Sequence, residues 1–362
     1  MTAALTGSAH ALPAPMSQQA LWEGFFRDHY ADARLARSVW KSSAIETRRG
    51  VVNPAEEDIS EWGTAARMQR FLAEALPLGK GAVSGALADA GLDAADVGLF
   101  TVVSCTGYVT PGLDILLARD LGMTDRVQRL HVGHMGCYAA LPGLGATADF
   151  VTARQRPAVM LCLELTSLHV QPASDSARSG KPTADDLQQM VSHALFSDAA
   201  AAVVLEPLGS GPVGRRELEV VDVVARTDTS TSDHMTWDVT DLGFKMGLSP
   251  AVPDVLARHA KPVVESLLER HGLTVADVDG WAVHPGGRKI VEVVGEVLEL
   301  REELLRPSYD VLRDVGNCSS ATVLLVLERL AETVDVPPGG TVVAMAFGPG
   351  LTLYAALLRR PS

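Results

Sequence analysis

Apolar residues recur along the chain in two alternating rhythms. Spacings of three and four positions predict amphipathic helices, as in Leu21, Phe25, Leu35 and Val39 between Ser17 and Ser38, and again over residues 63–91 up to Gly91. Between such stretches lie short unbroken apolar runs bounded by glycine and polar turns. Leu99–Val103, the run ending at Val132, RPAVMLCLELT and GGTVVAMAFGPGLT are of this kind, and their length and composition predict buried strands. Strands alternating with helices imply an α/β protein with mostly parallel sheets covered by helices.

Part of this pattern occurs twice. GLDAADVGLF at 91–100 and GLTVADVDGW at 272–281 share G-L-x-x-A-D-V followed by an apolar strand, each preceded and followed by a helical segment. About 180 residues separate them. Two weaker echoes follow in the same order: VGHMGCYAALPGL with DVGNCSSATVLLVLERL, and RPAVMLCLELT with GGTVVAMAFGPGLT. The shared order predicts two duplicated βαβ-rich halves, 17–210 and 211–362, after a flexible leader over residues 1–16. LGSGPVGRREL, 208–218, has the composition of the connection between them, and PASDSARSGKPTADD that of a loop.

In such folds reactive groups gather at the carboxyl ends of strands and the N-termini of the helices that follow. Cys137, His284 and Asn317 all fall there. Cys137 follows Gly136 at the mouth of a helix of small residues, where unpaired N–H groups favour a thiolate. His284, before Pro285 and two glycines, can supply an imidazole, and Asn317, after Gly316, an amide N–H. Singly they suit a core filler, a structural histidine and a helix cap. Equivalent places in a repeat make their convergence a catalytic expectation, with a thiol nucleophile and donors for an oxyanion. His131 and His134 lack a locally spaced acidic or second cysteine ligand, so they are expected to shape the floor near Cys137 rather than to hold a metal.

Arg34, Arg37 and Lys41, spaced i, i+3, i+7, share one helical face, which is either a solvated basic surface or a site for a phosphate-bearing substrate. The formal net charge of −13 favours the second, since a basic cluster stands out in so acidic a chain, and it argues against a nucleic-acid or anionic-membrane partner. Aromatic residues make up only 5% of the chain and glycine is abundant, which suits closely packed helices and strands. The four cysteines are widely spaced without metal or redox motifs, as expected of reduced thiols in a cytoplasmic protein. The N-terminus lacks a signal peptide's basic start and apolar run, and no run of membrane-spanning length is present.

GHMGCYAALPGL, WAVHPGGRKI, VGNCSSATV and AFGPGLT, in this order, resemble the type III polyketide synthases, the chalcone-synthase-like branch of the thiolase superfamily, from about residue 17 onward. The resemblance implies a thiolase-like fold in which two βαβαβαββ halves form five αβαβα layers, and a homodimer. It implies that Cys137 carries the acyl chain while His284 and Asn317 form the oxyanion pocket and assist malonyl decarboxylation. Phe196 and Phe244 would be gatekeepers, and Gly348, Pro349 and Gly350 would shape the cavity. Arg34, Arg37 and Lys41 would bind the phosphates of coenzyme A, with Arg288 near that entrance. Acyl-CoA and malonyl-CoA would be the substrates, and no cofactor would be required. Cys105, Thr110 and His169 depart from the plant-type pattern at cavity positions. Cys105 and the Gly-Cys-Tyr-Ala-Ala run are most like bacterial members that convert fatty acyl starters to alkylpyrones or alkylresorcinols, although His169 could narrow the cavity. The alternatives are a ketoacyl synthase III enzyme making one condensation onto an acyl carrier protein, a papain-like hydrolase, and a catalytically silent partner subunit.

Overall fold

The computed structural model describes residues 2–209 and 217–362. In chain order its strands are β1 (Ala3–Ala11), β2 (Pro15–Ser17), β3 (Thr47–Arg49), β4 (Leu99–Val103), β5 (Gln128–Val132), β6 (Ala158–Leu165), β7 (Asp198–Pro207), β8 (Leu218–Thr227), β9 (Met235–Thr240), β10 (Gly243–Leu248), β11 (Gly280–Val283), β12 (Thr341–Gly348) and β13 (Thr352–Arg359). Nine of these form one sheet in the order β11-β12-β13-β8-β1-β7-β6-β4-β5. Its centre is a seam, because β1 and β8 meet over only Ala4–Glu219 and Leu5–Leu218.

On either side of that seam the strands of the sequence repeat take matching places, β4 with β11, β6 with β12, β7 with β13 and β1 with β8. The sheet is mixed rather than mostly parallel. Only β4–β5, β4–β6 and β11–β12 run parallel, because β12 turns directly into β13 and the strands around the seam run antiparallel.

Strand alternation sets the layers. In β6, Met160 and Cys162 face a central core shared with the Ala140–Arg154 and Thr322–Thr333 helices, while Val159, Leu161 and Leu163 pack under the Thr64–Ala90 helix. In β12, Val342, Ala344 and Ala346 join the same central core, and Val343, Met345 and Phe347 face the Val252–Glu269 and Arg288–Leu298 helices. Helix, sheet, helix, sheet, helix is the expected thiolase-like arrangement. It brings the carboxyl ends of β5, β6 and β11 toward one interior region.

Two expectations are corrected. The flexible leader over residues 1–16 is instead largely β1, paired along β7 at the middle of the sheet. The Ser17–Ser38 helix is broken at Ala31 and Asp32, both at positive φ, and resumes as Arg34–Ser42. Of the expected boundary between halves, residues 210–216 lie outside the described residues.

Candidate active site

Cys137 occupies a single 3-10 turn, Gly136–Tyr138, between β5 and the Ala140–Arg154 helix. The Gly348-Pro349-Gly350 segment, which begins at the last residue of β12, closes down on this turn. A Cβ on Gly136, whose φ is +71°, would lie 2.7 Å from Pro349 Cδ, and one on Gly348 would lie 3.3 Å from the Cys137 nitrogen. Glycine at both positions therefore permits the close approach that fixes the Cys137 turn. The segment acts on the site through this backbone contact, and only the preceding Phe347 lines the pocket.

His284 ends β11, held by its N–H donating to Met345 O at 2.8 Å. Its ring packs edge-on against Phe347, fully buried, and neither ring nitrogen has a partner among the described residues. Asn317 is anchored through its backbone, which receives the Ser197 N–H at 2.8 Å and donates to Leu195 O at 3.1 Å. Its Oδ1 accepts the Ser319 N–H at 2.9 Å, so Nδ2 faces the pocket with only a long 3.5 Å contact to Gly286 O.

Cys137, His284 and Asn317 line one pocket of about 230 Å³, as the sequence predicts, together with Phe196 and aliphatic walls that include Leu187, Val191 and Ile290. Burial pushes the Cys137 thiol up to about 12 against a lesser pull from Ser319, and pushes His284 down to about 3. The pull expected of the helix mouth toward a thiolate is outweighed here, since desolvation dominates at so enclosed a sulfur.

Phe196 stands at a partition. It lines this pocket and also a smaller cavity of about 40 Å³, which is where Phe244 and His169 are found, with Trp237 and the buried Arg48. The two expected gatekeepers therefore do not both face Cys137. Thr110 is exposed on the loop after β4, near the sheet's edge at β5, and is not among the residues that line the Cys137 pocket. His131 and His134 are likewise exposed rather than under Cys137.

Glu164 escapes the sequence reading. Wholly buried at the end of β6, it receives the Cys105 N–H at 3.0 Å, the Thr106 hydroxyl at 2.8 Å and the Ser320 hydroxyl at 2.6 Å. Burial raises its carboxyl above the usual range against these donors. The Cys105 sulfur lies 3.5 Å from Glu164 and 3.8 Å from the Ser319 hydroxyl. A single acid inside the apolar run AVMLCLEL is the signal that could have found it, because a buried charge needs several partners.

The basic residues separate. Arg34, Arg37 and Lys41 are exposed on one short helix; Arg37 pairs with Asp32, and Arg37 and Lys41 border a surface cavity of about 610 Å³. Arg288 turns outward to Glu292 at 2.8 Å, whereas Lys289 lines the pocket that holds Cys137. Among the described residues no cluster of His, Cys, Asp or Glu is arranged to hold a metal, and no helix is long and apolar enough to cross a membrane.

Comparison with known proteins follows the two halves. Residues 3–212 match the N-terminal domain of the chalcone and stilbene synthases, and residues 221–361 their C-terminal domain. The alpha-pyrone synthesis polyketide synthase-like Pks18 of Mycobacterium tuberculosis is 34% identical over 92% of this chain and 84% of its own. The 1,3,6,8-tetrahydroxynaphthalene synthase of Streptomyces peucetius subsp. caesius is 36% identical over 91% of this chain and 84% of its own. Among solved structures, the tetrahydroxynaphthalene synthase of Streptomyces coelicolor A3(2), a bacterial type III polyketide synthase, superimposes with a TM-score of 0.89 at 26% identity, covering 100% of both chains.

Proposed function

The chain belongs to the chalcone and stilbene synthases, the type III polyketide synthase family of acyltransferases, and from that premise we propose that it extends an acyl-CoA starter with malonyl-CoA on Cys137 and releases a cyclised pyrone or resorcinol-type product. The observation that carries this reading is the convergence of Cys137, His284 and Asn317 on one pocket with aliphatic walls.

The steps follow from the groups present. As Cys137 attacks the starter thioester, its proton passes to His284, which burial otherwise keeps neutral, and on to the departing coenzyme A thiolate. Malonyl-CoA then loses carbon dioxide, and the enolate oxygen accepts hydrogen bonds from Asn317 Nδ2 and His284. The enolate carbon attacks the Cys137 thioester, transferring the chain to the new coenzyme A ester. Repetition builds a poly-β-keto chain that cyclises. Each extension takes up one proton from solvent and releases one carbon dioxide and one coenzyme A thiol, with the Cys137 thiolate set free for the next transfer.

Phe196 serves as the gate between the pocket and the neighbouring cavity, with Phe244 as that cavity's wall. Arg34, Arg37 and Lys41 bind coenzyme A phosphates, and Lys289 takes the place first expected of Arg288 at the pocket mouth. Aliphatic walls and the likeness to the mycobacterial alpha-pyrone protein support a fatty acyl starter. Four unpaired cysteines support a cytoplasmic setting, and the exposed edge strand β5 supports a homodimer.

The test is incubation with malonyl-CoA and a ladder of acyl-CoAs from acetyl to long-chain, with products resolved by mass spectrometry. Cyclised polyketides from the native enzyme and none from Cys137→Ala are expected; product from Cys137→Ala overturns the assignment.

A further inference from the structure

Two successive carbonyls at the tip of β4 are each held by an aromatic ring nitrogen. Trp237 Nε1–H donates to Cys105 O at 2.8 Å, and His169 Nε2 lies 2.7 Å from Thr106 O. A carbonyl only accepts, so the proton of His169 is on Nε2. That leaves Nδ1 as the acceptor for the Phe244 N–H, which reaches it at 3.0 Å. Both partners fix the same tautomer, and burial, helped by nearby Arg67, keeps the ring neutral, down at about 4.

The three rings also pack on one another. His169 stacks on Phe244 at 4.6 Å with 8° between the planes, and Trp237 stands edge-on to both, at 5.3 and 5.8 Å. The β9–β10 hairpin comes down this far because Gly243 has no side chain: at φ +96° a Cβ there would lie 3.0 Å from His169 Nδ1 and 2.6 Å from Arg67 Cδ. Buried Arg67 in turn donates to Leu168 O, which secures the residue before His169. On the opposite side of the tip, Glu164 takes the Cys105 N–H and the Thr106 hydroxyl. The tip that carries Cys105 is thus clamped between a carboxylate and an aromatic trio.

We propose that His169 is a positioning residue that ties the Phe244 wall to the Cys105–Thr106 tip, so that the cavity wall and the Cys105 side chain are set as one unit. This rests on the assignment of Cys137 and Phe244 above. A residue that merely occupied space would be replaceable by any ring of similar size. A bridging residue is not, because both nitrogens are in use.

Three variants separate these cases. His169→Phe keeps a stacking ring without the bonds, His169→Asn keeps an acceptor for the Phe244 N–H, and His169→Ala removes everything. Each is assayed for Cys137 acylation by intact-protein mass, for kcat and malonyl-CoA KM, for product length and for melting temperature. Phe and Ala are expected to load Cys137 at the native rate with native KM, yet to lose roughly tenfold or more in kcat for the full-length product and to release mis-extended chains, since small misplacements of reacting groups carry such penalties. Asn is expected to recover part of that loss. The inference is overturned if His169→Phe reproduces native rate and product length, or if the loss of kcat tracks a loss of acylation or melting temperature. Native Cys137 acylation, read in the same experiment, keeps a failure of the assigned activity apart from a failure of this inference.

Discussion

The Ser319 N–H donates to Asn317 Oδ1 at 2.9 Å, and this bond decides which end of the Asn317 amide the pocket meets. With the oxygen engaged, Nδ2 is the end offered to a substrate, and its contact with Gly286 O at 3.5 Å is weak enough to exchange for an enolate oxygen. Asn317→Ala is therefore expected to acylate Cys137 normally while malonyl-CoA decarboxylation falls by about 100-fold or more, the usual loss on removing one oxyanion donor. Intact-protein mass and carbon dioxide release measure the two steps separately. Equal loss in both would refute a role confined to the enolate.

Cys137 and His284 are each driven toward neutrality by burial, to about 12 and about 3. On the proposed assignment the imidazole takes the thiol's proton, so the two are expected to titrate as a pair. Removing the imidazole leaves the thiol at its raised value. In His284→Ala, alkylation of Cys137 by iodoacetamide should be slower than native at pH 7 and should climb about tenfold per pH unit toward pH 9, as the thiolate fraction does. Superimposable profiles for the two proteins would show that His284 does not serve the thiol.

The convergence of Cys137, His284 and Asn317 was legible because they sit on the repeat: the same turn-strand pattern at Gly91 and Gly272 marks matching strands β4 and β11, and short-range signals mark the turns that bear Cys137 and Asn317. The strand β1 was not. Its Ala, Gly, Ser and Thr residues read as a leader, yet they are small because the Thr64–Ala90 helix packs on the strand at backbone distance: a Cβ on Gly7 would lie 2.5 Å from Ala86 O, and one on Gly85 would lie 2.7 Å from the Ala9 Cβ. Composition selected by close packing resembles composition selected by disorder. The roles of Glu164 and His169 were hidden for another reason, since both depend on partners more than 50 positions away in the chain.

Four histidines that are wholly or partly buried make stability depend on pH. Burial lowers His284 to about 3, His29 and His169 to about 4, and His193 well below its ordinary value. Below about pH 6.5 the unfolded chain protonates all four while the folded chain does not, so each removes about 1.4 kcal/mol of stability per pH unit until its folded value is reached. Buried Glu164 and Asp198, whose values are raised, act in the opposite direction as they gain protons, as does His10, raised by its hydrogen bond to Glu328. The urea midpoint is expected to be full above pH 7 and to fall steadily between pH 6.5 and 4.5. A flat or rising midpoint over that interval would contradict it.

β5 pairs with β4 on one side only, and Gln128, Arg129, Leu130 and His131 are exposed along it. Leu130 joins Tyr108 and Ile115 among the exposed large apolar side chains, a combination that an isolated protomer would be selected against. Light scattering should give twice the chain mass of 38.3 kDa for the native protein, and Leu130→Lys should shift it toward that of one chain. A native protein that is monomeric at assay concentration would remove the argument.

The nucleophile's turn should be sensitive to a single methyl group on the other half of the fold. Gly348 closes β12, and a Cβ there would lie 2.9 Å from the Tyr138 ring and 3.3 Å from the Cys137 nitrogen. The ring is stacked on Tyr354 at 5.4 Å and has little room to swing away, so the strain falls on the Gly136–Tyr138 turn. A shift of a few tenths of an ångström leaves the core intact but misaligns the sulfur with the incoming thioester, and misalignment of that order slows reaction by about tenfold or more. Gly348→Ala is thus expected to acylate Cys137 slowly while unfolding cooperatively near the native temperature. Gly136→Ala adds a side chain at φ +71° as well as a 2.7 Å clash with Pro349, so it should lose both acylation and about 1–2 kcal/mol or more of stability. Native acylation rates in Gly348→Ala would show that the turn yields without moving the sulfur.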